Sequence, residues 1–388
     1  MLLDLRPGVK RLDDVPLDAA DTLRALQALG HPRPILLAYH PPGASPFLDL
    51  LYARAIDSGV AAMPIRRIAD AAALLPLAAM IGARVVLHLH WVGPHLEGSR
   101  DEEEAAARVR AFASELDDLR AASVDIAWTI HNVLPHDAEM PDAQIALRRE
   151  IVARASVVHV MSTATEGLVA SQFTIPRDRV LTVGHPAFTG MYPDWVGRTE
   201  ARRVLGLAPD APTIALVGAL RPYKGLAELL DALPVVASRR PRIRLVIGGS
   251  PTPSEEMESL VDRAIADPRI LIHPRRVPDD RLQYLIRAAD AVVLPYRRIL
   301  NSAALFLALA FERAVVLPRD PALEEFADPA VAVTYERGGP SALAAAIDAV
   351  LNLPPAGVSA TARAICARHE PTAVSRAFAE GLRNILER

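Results

Sequence analysis

Short β-branched runs alternate along this chain with longer stretches in which apolar residues recur at helical spacing. Residues 35–39, 85–89, 125–130, 157–161 and 180–183 read as strands, with helical patterns over 46–59, 102–121 and 143–155 between them. Strands separated by helices of this length predict a parallel α/β sheet. A stretch rich in Pro, Gly and Trp follows at 184–197, and the pattern then restarts with a helix over 200–205. Further strands are predicted at 213–217, 243–247, 270–272, 291–294 and 314–317. The expected fold is therefore α/β, two doubly wound Rossmann-like domains joined near residues 190–200. Ligands of such sheets bind beyond the carboxyl ends of the strands, which here means the cleft that the two domains would face.

Length agrees with this reading, since 388 residues suit two domains, each with its own core. With 43 basic and 46 acidic residues the formal net charge is −3, so no global field draws the chain to nucleic acid or to an acidic membrane. The single cysteine, Cys366, excludes an internal disulfide and any cysteine metal cluster, and fits a reducing compartment. Residues 1–12 carry Asp4, Arg6, Lys10 and Arg11 without a long apolar core, which is not a secretory signal; a cytoplasmic location is expected. The most apolar stretch, 71–89, is interrupted by Pro76 and Arg84 and breaks at Gly82, so it does not read as a membrane span. Its helix-like half, 71–81, either packs between domain layers or lies on the inner face of the cell membrane, touching a lipid-linked acceptor.

The candidate chemistry sits in turns after strands. Gly218-Ala-Leu-Arg-Pro-Tyr-Lys-Gly225 places Arg221 and Lys224 where an apolar strand gives way to a helix. The free N–H groups and the positive dipole end of a helix start favour an anion, so this turn is read as a phosphate site. In the turn Leu294-Pro-Tyr-Arg-Arg-Ile-Leu-Asn-Ser-Ala303, Asn301 and Ser302 form a helix start that could hold a second phosphate of the same diphosphate. Three more turns belong to the first half of the chain. His40 lies in a Pro/Gly-rich loop, while His88 and His90 point the same way on a strand beside Trp91. No third metal ligand at suitable spacing accompanies those histidines, so no metal is expected, and Trp91 is read as lining an acceptor site. The densest turn holds His131, Asn132, His136 and Asp137 after a buried strand. Asp137, or His131 oriented by a neighbouring carboxylate, is the expected general base, with His40, His90, Trp91 and His136 as acceptor contacts.

Taken together, the 216–225 turn, Leu245-Val-Ile-Gly-Gly249, Arg276-Val-Pro-Asp-Asp-Arg-Leu282 and Ala288-Ala-Asp-Ala-Val-Val-Leu-Pro-Tyr296 resemble a GT-B-fold glycosyltransferase with a glycosyltransferase family 4 type of second domain. The resemblance implies domains over 1–195 for the acceptor and 196–371 for the nucleotide sugar. A last helix, 372–388, would pack back on the first domain. Gly218, Arg221, Lys224, Gly248, Arg276, Val277, Tyr296, Asn301 and Ser302 would bind the donor, with loop 273–277 facing the nucleotide base. Retaining members carry two glutamates where this chain has Ile299 and Leu307, and the usual arginine after the first glycine is replaced by Ala219. The Asn301-Ser302 start and the 131–137 loop are instead similar to inverting, β-mannosyltransferase-type relatives.

The resulting expectation is metal-independent, inverting transfer from GDP-mannose or a UDP-sugar to a saccharide, lipid-linked or small-molecule acceptor, with no cofactor beyond the donor. A catalytically inactive GT-B-like partner subunit and a two-domain sugar-nucleotide epimerase remain open.

Overall fold

Two parallel six-stranded sheets organise the chain in a computed structural model that describes residues 25–41, 45–134 and 140–388. They belong to two compact units. One closes at Pro186 and takes in Pro371–Arg388; the other is Ala187–Glu370.

In the first unit the strands β1 (Ile35–His40), β2 (Val60–Pro64), β3 (Arg84–Leu89), β4 (Val124–Thr129), β5 (Val157–Val160) and β6 (Val180–Thr182) lie in the order β2-β1-β3-β4-β5-β6. Leu36, Leu37, Val86, Leu87 and Val157 are fully buried, because helices cover both faces of a parallel sheet and strands inside it need apolar side chains on both. Helix Glu102–Ala121 is one such cover. Asp101 caps it by accepting from the Glu104 N–H, three glutamates occupy its first turn, and Val109, Phe112, Leu116 and Leu119 face the core. Another cover comes from far along the chain: helix Pro371–Leu386 buries Val374, Phe378, Ala379 and Leu382 at helical spacing. Its flanks are fixed by Arg376 on Asp57 at 2.8 Å and by Arg383 donating to the Ser58 carbonyl at 3.0 Å.

The second unit orders β7 (Thr213–Val217), β8 (Arg244–Gly248), β9 (Ile270–His273), β10 (Ala291–Val293), β11 (Ala314–Pro318) and β12 (Ala332–Tyr335) as β12-β11-β10-β7-β8-β9. Its strand order reverses between β7 and β10, that of the first unit between β1 and β3. Such switch points open a crevice at the strand ends, where ligands of doubly wound sheets bind.

Several elements differ from the sequence expectation. Strands β2 and β12 come from short segments without a strong β-branched pattern. The helix expected over 46–59 stops at Tyr52, and a separate 3-10 turn, Ala55–Ser58, ends at Gly59 with φ +80°. Segment 71–81 divides between a 3-10 stretch, Ile68–Leu74, and helix Leu75–Ile81. Among the described residues no single helix is long and apolar enough to cross a membrane.

Candidate functional site

At the end of β7 the backbone turns through Gly218, whose φ of +104° disfavours any residue with a Cβ. Its N–H donates to the Gly248 carbonyl at 2.9 Å, and Gly249 lies so close that a Cβ there would stand 1.9 Å from the Gly218 oxygen. These glycines press the β7 and β8 ends together. The bare face of Gly218 is covered by Lys224, whose Nζ lies 3.1 Å from where a Gly218 Cβ would sit. Lys224 is partly buried, and burial first, then the charge of Arg221, pushes its pKa down to about 8. No carboxylate pairs with it among the described residues. Arg221 is exposed and anchored on the Thr252 hydroxyl at 2.8 Å.

The neighbouring turn after β10 is locked to this one. A Cβ on Gly225, at φ +77°, would lie 1.9 Å from the Pro295 carbonyl oxygen; the Arg297 N–H donates to the Tyr223 carbonyl at 2.8 Å; and the Tyr223 and Tyr296 rings stack at 6.3 Å. Buried Tyr296 shares a hydrogen bond of 2.7 Å with the Ser302 hydroxyl, which also accepts from the Leu305 N–H and so caps helix Ala303–Ala310. Asn301 precedes the cap. Ile299 is half-buried and Leu307 buried, so apolar side chains occupy the two expected glutamate places. Val277 reaches within 3.0 Å of the Gly248 Cβ position. With exposed Arg276, Leu271, Tyr284 and Leu285 it lines a cavity of about 470 Å³. Arg337, which sequence reasoning missed, donates to the Tyr296 carbonyl at 2.9 Å and pairs with Asp320. Nothing in its surroundings in the sequence marks it out.

In the first unit the structure gathers His40, His90, Trp91 and His131, while His136 and Asp137 lie outside the described residues. His90 donates its backbone N–H to the His40 carbonyl, and its Nδ1 meets His131 Nε2 at 3.0 Å. Trp91 stacks on His131 at 4.2 Å, and Phe47 meets the same ring edge-on. His40 is half-buried, with Nδ1 at 3.3 Å from the Ile65 carbonyl. Among the hydrogen bonds of the described residues, His131 meets another histidine, His90. Behind it lies a network that the sequence did not suggest. The Tyr52 hydroxyl joins His90 Nε2 and His88 Nδ1, each at 2.7 Å; His88 Nε2 meets Thr129 Oγ1 at 2.8 Å; Thr129 meets His159 Nδ1 at 2.9 Å; and His159 Nε2 meets the Val183 carbonyl at 2.9 Å.

Burial, reinforced by neighbouring imidazoles, drives His88, His90 and His131 well below the ordinary histidine range. Burial pushes His159 down to about 4. These histidines are neutral at physiological pH, so each has one nitrogen that donates and one that accepts. Phe378 stacks on His88 at 5.2 Å and lies as near to His159. The sequence signal for this cluster is a buried polar residue near the end of each of three adjacent strands: His88 on β3, Thr129 on β4 and His159 on β5. Among the described residues no group of three His, Cys, Asp or Glu could hold a metal ion.

Known proteins agree with this architecture. The family model described as glycosyl transferases group 1 matches residues 211–352. A GDP-mannose:glycolipid 4-beta-D-mannosyltransferase of Xanthomonas campestris pv. campestris is 30% identical over 241 residues, 62% of this chain and 63% of that protein. D-inositol 3-phosphate glycosyltransferase of Actinosynnema mirum is 30% identical over 41% of this chain and 40% of its own. In fold, the chain is similar to Anabaena Alr3699/HepE in complex with UDP, with a TM-score of 0.64 and 16% identity, covering 90% of this chain and 100% of that one. Both switch points, the glycine-walled Lys224 turn and these likenesses converge: the chain has the two-sheet GT-B fold, and its residues 211–352 are similar to the glycosyl transferases group 1.

Proposed function

We propose that the protein transfers a sugar from a nucleotide-diphosphate donor to a hydroxyl of a saccharide or glycolipid acceptor, with inversion and without a metal. The observation that carries this reading is Lys224, a partly buried ammonium group without a carboxylate partner among the described residues, held over Gly218 at a switch point. A desolvated cation of this kind is stabilised by an anion, and a leaving diphosphate gains negative charge as the bond to C1 breaks. Arg221 and the Ser302-capped helix start add to the same field. The about 470 Å³ cavity beside Val277 and Arg276 would take the nucleotide base.

In the reaction, an acceptor oxygen attacks C1 of the sugar, the C1–O bond to the diphosphate breaks with its electron pair leaving on the diphosphate, and the hydroxyl proton passes to a base. His131 is the described candidate for that base, with Asp137 as the alternative. Inversion accounts for Ile299 and Leu307, because a single displacement needs no carboxylates there. The same residues therefore do not require an inactive subunit. GDP-mannose is the first donor to try, since the Xanthomonas relative is named for it. A UDP-sugar is the second.

The test combines a thermal-shift screen of GDP, UDP, ADP and dTDP with NMR of the product anomeric centre and an assay in excess chelator. A nucleoside diphosphate that raises Tm, an inverted anomeric centre and chelator-resistant turnover are expected. Absence of transfer from every donor, or a retained configuration, would overturn the respective part of the reading.

A further inference from the structure

At the end of the second sheet away from the Lys224 turn, four arginines gather around two aspartates. Strands β7, β10 and β11 run parallel, and Asp290 and Arg313 each stand one residue before a strand, so both lie on the edge where those strands begin. The Lys224 turn follows the other end of β7, about 16 Å away for five residues of strand. Asp290 accepts from Arg198 at 2.7 Å, from buried Arg202 at 2.9 Å and from the Thr213 backbone N–H at 2.8 Å. Asp194 accepts from Arg287 Nε at 2.6 Å, and Arg287 also donates to the Phe311 carbonyl at 3.2 Å. Glu312, at φ +54°, leads the chain into β11 and is taken up by Arg363 at 2.9 Å. Arg313 is left over. Among the described residues no carboxylate pairs with it, and its Nε is buried without a hydrogen-bond partner. Burial first, then the charge of Arg287, pushes its pKa down to about 10, so it stays charged at physiological pH.

Arg313 lines a cavity of about 290 Å³ together with Asp194, Trp195, Arg198 and Arg287. A guanidinium group held in this way is costly unless an anion meets it. Charge then decides which anion. Arg198, Arg202, Arg287 and Arg313 face only Asp194 and Asp290, which leaves two positive charges uncompensated. A phosphate monoester carries roughly −1.5 to −2 at pH 7, and its oxygens match the fork of a guanidinium group, whereas a single carboxylate brings about half that charge. The rim is fixed, since the Trp195 and Val196 backbone N–H groups donate to Oε1 of buried Gln283 at 3.0 and 3.1 Å. The exposed Trp195 side chain adds an apolar surface for the organic part of an ester. We propose that this cavity binds a phosphate monoester, with Arg313 as its central contact and Arg198 and Arg287 at its sides, in a site separate from the Lys224 turn. The site does not depend on the glycosyltransferase reading. Its monoester belongs to a soluble compound or to a lipid headgroup, and the test tells the two apart.

The experiment titrates inorganic phosphate, at constant ionic strength, into the full chain labelled with 15N at arginine, and follows the Nε–H signals. A saturable shift of the Arg313 signal is expected, in the wild-type protein and in Lys224→Ala alike. Arg313→Met supplies the assignment, and Arg313→Lys replaces it there if the methionine variant does not fold. Measured by calorimetry in the Lys224→Ala background, Arg313→Met should weaken phosphate binding about tenfold or more, the loss expected for a charge-assisted hydrogen bond. Without phosphate its Tm should equal or exceed that of the parent, because a buried charge without a partner has been removed. Phosphatidylcholine vesicles with and without phosphatidic acid separate the sources. Capture that needs both phosphatidic acid and Arg313 assigns a lipid headgroup; a phosphate shift without capture assigns a soluble ester. A wild-type Arg313 signal that does not move with phosphate would overturn the proposal. So would an Arg313→Met protein that binds phosphate as tightly as its parent.

Discussion

At Gly218 the missing side chain makes room for the Lys224 ammonium group, and the same closeness strips that group of water. With a pKa lowered to about 8 in the free protein, Lys224 is mostly charged at pH 7 and has lost about half of its protons by pH 8. A bound diphosphate favours the charged form, so binding and protonation are linked. Nucleoside diphosphate affinity should therefore be flat below about pH 7 and fall up to tenfold per pH unit above pH 8, which titration calorimetry across that range would reveal. Lys224→Ala should abolish this pH dependence and cost roughly 10²–10³ in kcat, with the far-ultraviolet circular dichroism unchanged. A Lys224→Ala protein with wild-type turnover would remove this residue from the site. Lys224 and Arg221 were legible because cations at a strand-to-helix turn stand out against apolar neighbours. Tyr52, Thr129 and His159 were not: each is a lone polar residue whose partners are set by register between strands, and spacing along one strand does not encode register.

Turns and strands raise a different question, which is how two loops separated by some seventy positions come to act as one. The Lys224 and Tyr296 turns meet through Gly225, where any side chain would run into the Pro295 carbonyl. Gly225→Ala should destabilise the second unit by at least about 1–3 kcal/mol, read from its thermal midpoint, because it adds backbone strain at a positive φ to a collision with backbone. Ser302→Ala should cost about 1 kcal/mol through the lost cap, and it also leaves the buried Tyr296 hydroxyl without that partner. Donor affinity should fall with it. Most strands were readable from β-branched, mainly apolar runs, since a strand covered on both faces tolerates few polar residues. Strands β2 and β12 escaped for a reason visible in their residues. Val-Ala-Ala-Met-Pro is alanine-rich and ends in proline, Ala-Val-Thr-Tyr is only four residues long, and both lie at sheet edges where burial demands less. The break after Tyr52 was hidden because a 3-10 turn continues the helical spacing of apolar residues.

On the scale of the whole molecule, the two units differ in how the chain supplies them. Residues Ala187–Glu370 are contiguous, whereas the first unit is assembled from the segment ending at Pro186 and from Pro371–Arg388. The later segment brings Phe378, which is fully buried against Tyr52, His88 and His159. A chain ended after Glu370 should keep a cooperative thermal transition for the second unit and lose that of the first, followed by separate tryptophan and hydrogen-exchange probes. Phe378→Ala in the full chain should cost about 3–5 kcal/mol in the first unit alone. Helix Pro371–Leu386 also sets a timetable. During synthesis the first sheet emerges early but lacks its covering helix until the whole second unit has been made, so the half of the protein encoded first becomes native last. Its apolar face, with Leu181 waiting for Gly381, must be kept from aggregation meanwhile, and slowing translation between the two units should bring no benefit to folding yield.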